Sequence, residues 1–139
     1  MECKNKVISY LKKNNIDVVD TKLKNDPLDD YPDFAFDVCK NVLSNKGLGI
    51  LICGTGIGMS IAANKVKGIY CARVTKEDDA FTSKNHNGAN VIAFSAHLDF
   101  SEVEKIVDAF IGTKGPCEER HLRRLNKVIK KEQEEYNEI

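Results

Sequence analysis

Apolar positions along this chain follow two alternating periods, one of helices and one of strands, and the alternation predicts a parallel sheet with helices packed on it. Over residues 2 to 14, Cys3, Val7 and Leu11 stand four apart, which places them on one helical face. "IDVVD" (16 to 20) predicts a strand, and the turn-rich "NDPLDDYP" leads into a helix from about Pro32 to Ser44. Proline suits the first turn of that helix, and Phe34, Val38 and Val42 form its inner stripe. Gly49 to Ile52 is a continuous apolar run starting at a glycine, the pattern of a strand buried on both faces. A glycine turn and the helical "MSIAANK" follow it.

"GIYCARV" (68 to 74) and "ANVIAFS" (89 to 95) predict two further strands, separated by a helix from about Lys76 to Asn85. Helices over 101 to 111 and roughly 118 to 136 close the chain, divided by "GTKGPC", whose glycines and proline stop the first of them. The last helix begins basic and ends "KKEQEEYNEI", poor in apolar residues after Ile129, so its far end is expected to fray or to pack on another subunit. Residues 1 to 139 show no repeat and no linker, and read as one α/β domain.

The front of the pattern is irregular. A doubly wound sheet begins with a strand feeding its first helix, whereas this sequence starts inside that helix. At ~1.5–3 kcal/mol per buried large aliphatic side chain, a central strand contributes an amount comparable with the ~5–15 kcal/mol net stability of a domain. The missing strand is therefore either compensated or the product of a misplaced start, and in-frame codons upstream of Met1 for an apolar strand distinguish the two.

Charge narrows the partners. Lysine plus arginine equals aspartate plus glutamate, 21 each, so bulk charge attracts neither nucleic acid nor an anionic membrane, and any anion site must be local. No apolar stretch approaches the ~20 residues of a membrane span, and "MECKNKVISYLKK" lacks the apolar core of a signal peptide, so a cytoplasmic protein is expected. The five cysteines are odd in number and lack both a C-x-x-C pair and zinc-site spacing, which predicts free thiols and no metal. Cys3, Cys39 and Cys71 sit inside apolar patterns as small hydrophobes.

Cys53 differs, because it ends a strand and is followed at once by Gly54, Thr55, Gly56, Ile57 and Gly58. Ligands of open α/β sheets bind at the carboxyl ends of strands. Backbone N–H groups in a glycine-rich turn at a helix start form a pocket for negative oxygen, and such a field also favours a thiolate. The turn lacks the G-K-[ST] of a P-loop and the G-x-G-x-x-G of a dinucleotide site. A cysteine at the strand end with threonine two residues on suggests a base beside an oxyanion pocket.

"GILICGTGIGMSIAANKVKGI" closely resembles the most distinctive stretch of the sugar-phosphate isomerases that include type B ribose-5-phosphate isomerase and the galactose-6-phosphate isomerase subunits. "DYPDFA" (30 to 35), "HNGANVIAFSA" (86 to 96), "IVDAFIGT" (106 to 113) and "RHLRRLNKV" (120 to 128) resemble further family segments in family order. The resemblance implies a Rossmann-like three-layer sandwich, no cofactor, and a homodimer or homotetramer whose sites are shared between subunits. It implies interconversion of D-ribose 5-phosphate and D-ribulose 5-phosphate through an enediolate. A six-carbon sugar phosphate, or a truncated relative that binds sugar phosphate or a partner subunit without turnover, are the alternatives.

Residue by residue, the resemblance makes Cys53 the base at C2 and places Thr55, Gly54, Gly56 and Gly58 at the developing oxyanion. It makes His86 the group that opens the furanose ring, Asn87 its substrate-binding neighbour, and Tyr31 a residue of the site's rim. Arg120 and Arg124, four apart on a helix, match phosphate-binding arginines, and His121 matches the neighbouring histidine. A solvated basic turn paired with glutamates is the other reading of that charge run. His97 reads as a loop residue. Three features depart from the family: its opening strand and Asp-His pair have no counterpart here, "GIY" (68 to 70) replaces the usual "GIR", and "RVTKEDDAF" (73 to 81) differs from the typical segment before the histidine.

Overall fold

The computed structural model describes residues 2–21, 28 and 30–137. In chain order the elements are α1 (Glu2–Lys13), α2 (Tyr31–Asn45), β1 (Gly49–Cys53), α3 (Ile57–Ala63), β2 (Cys71–Arg73), α4 (Glu77–Asn85), β3 (Val91–Ser95), α5 (Phe100–Gly112) and α6 (Glu119–Asn137). The strands form a parallel sheet in the order β1-β3-β2. In register, Cys53 stands beside Ser95 and Arg73 beside Ala93, so the carboxyl ends of all three strands share one edge.

Side-chain alternation explains the uninterrupted apolar runs. Ile52, Ile92 and Phe94 face one layer, where they meet Val7 and Leu11 of α1, Ala80 of α4, and Val103, Ile106, Val107 and Phe110 of α5. Leu51, Val91 and Ala93 face the other, against Ala35, Cys39 and Val42 of α2 and Met59, Ala62 and Ala63 of α3. A strand covered on both faces has no polar side, as the sequence pattern required. Glycine at 49 allows α2 to close on β1, since a Cβ there would lie 2.9 Å from a Val42 methyl carbon.

The strand expected over 16 to 20 does not form. Asn15, at φ 61°, ends the first helical turn pattern in the left-handed region, and the Ile16 N–H returns to the Leu11 carbonyl at 3.0 Å. Ile16 and Val18 then lay their side chains on the α1–α5 core without joining a ladder. A strand exists only by pairing, and among the described residues β1 hydrogen-bonds to β3 alone. Residues 25–27 and 29, half of the turn-rich connection expected over 25 to 32, lie outside the described residues. Helix α2 starts at Tyr31, with the Asp30 N–H donating to the Asp33 carboxylate at 2.9 Å.

The end of the chain also departs from its pattern. Helix α6 continues to Asn137 and is tied to its own chain. Tyr136 accepts the Lys67 N–H at 3.0 Å and donates to the Lys65 carbonyl at 2.9 Å. Glu132 accepts from the Gly68 N–H at 3.2 Å and from the Tyr70 hydroxyl at 2.9 Å. Burial and this carboxylate push the Tyr70 hydroxyl up to about 12. Tyr70 therefore helps to anchor α6.

Candidate active site

Cys53 is half-buried at the carboxyl end of β1, and its Sγ accepts the Gly56 N–H at 3.0 Å. The turn that follows can be built only with glycine at 56. Gly56 has φ 80°, and a Cβ there would stand 3.0 Å from the Phe94 Cα and 3.1 Å from its nitrogen. Thr55 Oγ1 accepts the Ile57 N–H at 3.2 Å, which starts α3 and leaves the hydroxyl proton available to another acceptor. Among the described residues, the N–H groups of Gly54 and Thr55 meet no acceptor.

Two side chains brace this turn from β3 and β2. Ser95 donates to the Gly54 carbonyl at 2.7 Å and itself accepts the His97 N–H at 3.0 Å. Arg73 donates from Nε to the Thr55 carbonyl at 3.0 Å. Tyr31 arrives from the start of α2. Its ring lies so close to Gly58 that a Cβ there would be 2.8 Å from the ring edge, yet the residue stays 51% exposed. Among the described residues a Cβ at Gly54 would meet nothing within 4 Å, so the turn is open on that side.

The remaining candidates gather elsewhere. His86 ends α4, and its ring stacks on His121 with centroids 4.0 Å apart and planes 19° from parallel. Gly88, at φ 64°, lets the chain reverse beneath Leu125 of α6. Asn87 and Arg124 line one groove of about 330 Å³ together with Asn64, Tyr70 and Ser83. Arg120 donates from Nε to Glu118 at 3.1 Å, the pairing that the solvated-turn reading anticipated, while Arg124 enters no ion pair among the described residues.

His121 is the buried member of this cluster, 6% exposed. Its Nε2 lies 3.3 Å from Glu118, misaligned for a hydrogen bond, and so has no hydrogen-bond partner among the described residues. Burial, and after it the charges of His86 and Arg120, hold His121 below the ordinary histidine value. The Arg120 guanidinium holds the Glu118 carboxyl below the usual carboxylate range.

These two groups do not meet within one chain. Cys53 pairs with the last residue of β3, whereas His86 precedes its first residue, Val91. At about 3.3 Å per residue, the length of β3 separates them by on the order of 15 Å. Tyr31, Cys53, Gly54, Thr55, Gly56 and Gly58 lie at the carboxyl edge of the sheet, and His86, Asn87, Arg120, His121 and Arg124 lie toward its amino edge. Each half holds one part of the expected chemistry, a thiol with free N–H donors in one and imidazoles with guanidinium groups in the other.

The signature of the Ribose/Galactose Isomerase family matches residues 1–128. This chain belongs to that family. Among its relatives, the probable ribose-5-phosphate isomerase B of Mycoplasma genitalium is 47% identical over 135 residues, covering 93% of this chain and 88% of the relative. The corresponding protein of Mycoplasma pneumoniae is 42% identical over 139 residues, covering 96% and 90%. The crystal structure of ribose-5-phosphate isomerase B from Mycoplasma genitalium with bound ribulose-5-phosphate superposes with a TM-score of 0.87 at 43% identity, covering 96% of this chain and 90% of that one.

Within the family fold, sequence reasoning missed Ser95 and Arg73 because both act on the turn from other strands. Ser95 is legible in hindsight as the register partner of Cys53. Arg73 ends β2, and a cation at a strand's carboxyl end was the only signal it gave. Cys3, Cys39 and Cys71 are held as neutral thiols by burial, and Cys71 is pushed up to about 12.

Proposed function

We propose that this chain, acting as one domain, interconverts D-ribose 5-phosphate and D-ribulose 5-phosphate at sites completed by a second copy. The observation that carries the reading is the partly exposed Cys53 sulfur, in contact with an N–H and flanked by the unfilled N–H groups of Gly54 and Thr55. A thiol beside free donors is the equipment for removing a carbon-bound proton and holding the oxyanion that results.

Cys53, as thiolate, takes the proton from C2 of the open-chain aldose. The C2–H electrons form the C1–C2 double bond, and the C1 carbonyl electrons move onto O1. The Gly54 and Thr55 N–H groups and the Thr55 hydroxyl face that oxygen, within a turn shaped by Gly56 and Gly58. The proton returns from the thiol to C1 while the hydroxyl proton passes from O2 to O1, leaving the ketose. His86 opens the furanose ring by moving a proton between the anomeric hydroxyl and the ring oxygen. Tyr31 and Asn87 bind the sugar, and Arg124, His121 and the remaining donors of Arg120 hold the phosphate. None of these steps requires a metal or organic cofactor.

Because the halves lie at opposite edges of the sheet, a two-fold pair that sets the carboxyl edge of one copy against the amino edge of its partner completes two sites. Ile57 and Ile61, one turn apart on α3 and exposed beside the glycine turn, offer an apolar seam for that contact. Five free thiols suit a reducing, cytoplasmic setting.

The test is ketose formation from ribose 5-phosphate by the purified chain, with Cys53→Ser beside it. Turnover that falls ~10²- to 10⁴-fold in the variant supports the reading. A folded parent chain that binds the sugar phosphate without converting it overturns the reading in favour of a non-catalytic binding protein. Preferred conversion of a six-carbon sugar phosphate overturns the assigned substrate.

A further inference from the structure

The peptide unit between Thr55 and Gly56 is held at both ends by side chains. Its carbonyl oxygen accepts the Arg73 guanidinium at 3.0 Å, and its N–H donates to Cys53 Sγ at 3.0 Å. A trans peptide is planar with its C=O and N–H antiparallel, so holding the oxygen fixes the line along which the N–H points. We propose that Arg73 is a positioning residue for Cys53, acting through this one peptide to aim and polarise the N–H that meets the sulfur.

Three observations support it. Arg73 lies on β2, which is not adjacent to β1, and its side chain reaches past β3 to the loop that follows Cys53. Among the described residues it has no carboxylate within ion-pair distance, so its charge is not neutralised before it reaches the carbonyl. The preceding peptide is held by a neutral donor, the Ser95 hydroxyl on the Gly54 carbonyl, so within the turn the cation is placed on the peptide that touches the sulfur. A charge-assisted bond at the oxygen draws electron density from the nitrogen and strengthens what the N–H donates. The positive end of the peptide dipole then faces the sulfur without placing a cation in the substrate's path.

The inference rests on Cys53 being the base, and its test separates the two ideas. Arg73→Gln and Arg73→Lys are compared with the parent chain by the rate at which iodoacetamide alkylates Cys53 at one fixed pH, read by peptide mass so that the other thiols do not contribute. Thermal melts accompany the measurement. Arg73→Gln is expected to slow alkylation about three- to tenfold and to lower kcat by a similar factor with KM little changed. Arg73→Lys, which keeps a charged donor, is expected to recover part of both. Equal alkylation rates in the parent and folded Arg73→Gln overturn the proposal, as does a Lys variant no better than Gln. Undiminished turnover in Cys53→Ser instead overturns the base assignment, whatever Arg73 does to the alkylation rate.

Discussion

The imidazole of His86 lies face to face with that of His121, ring centroids 4.0 Å apart. Two rings this close resist carrying positive charge together, and the buried one gives way. Burial first, then the neighbouring charges of His86 and Arg120, keep His121 below its ordinary value. A histidine whose folded value is depressed stabilises the fold fully above its unfolded value near 6.5, and the contribution is lost as pH falls through the folded value.

The melting temperature of the parent chain is therefore expected to fall on acidification from about pH 6.5 toward 5, before most carboxylates titrate. In His121→Gln that part of the decline should flatten. Thermal melts across this range check it, and parallel curves for the two proteins would remove the linkage.

Mixing inactive variants tests the division of the site between copies. Cys53→Ser disables the carboxyl-edge half and His86→Asn the amino-edge half. A mixed pair would place both lesions in one site and leave the other intact, so denaturing and refolding an equal mixture should restore roughly a quarter of the parent activity, given two-fold pairing. Activity no higher than that of the separate variants would mean that each chain builds its own site.

The glycine turn separates backbone strain from ligand space. Gly56→Ala places a Cβ against the Phe94 backbone at positive φ, and should cost about 1–3 kcal/mol together with most turnover. Gly54→Ala meets nothing within 4 Å, and should leave the melting temperature unchanged while raising KM. A destabilised Gly54→Ala protein would contradict the open side of the turn. Urea unfolding and steady-state kinetics on the pair decide both.

Tyr136 tests the anchoring of α6. Tyr136→Phe leaves the Lys67 N–H and Lys65 carbonyl without their side-chain partner, at a cost of ~1 kcal/mol because the region is half open to water. Faster proteolysis within residues 130 to 137 is the expected sign. Unchanged proteolysis would show that Glu132 alone holds the helix.

Much of this protein was legible from its order of residues. The uninterrupted apolar runs at Gly49–Ile52 and Val91–Phe94 already demanded helices on both faces, because a strand without a polar side must be covered twice. The helix boundaries followed to within a residue or two, and Cys53 with its glycines announced the turn. Such features are local, written in period and in backbone tolerance.

What only the tertiary structure decided depends on segments far apart in the chain. "IDVVD" has the composition of a strand but pairs with nothing among the described residues, since a ladder needs a partner that no local pattern supplies. The α6 tail looked unattached until Glu132 and Tyr136 met the turn between α3 and β2, more than sixty residues earlier. The separation of Cys53 from His86 to opposite edges of the sheet arose from strand register, and the reach of Arg73 to Thr55 from strand order. Periodicity records which side of an element is apolar, whereas register and strand order are settled only when the packed layers choose among neighbours.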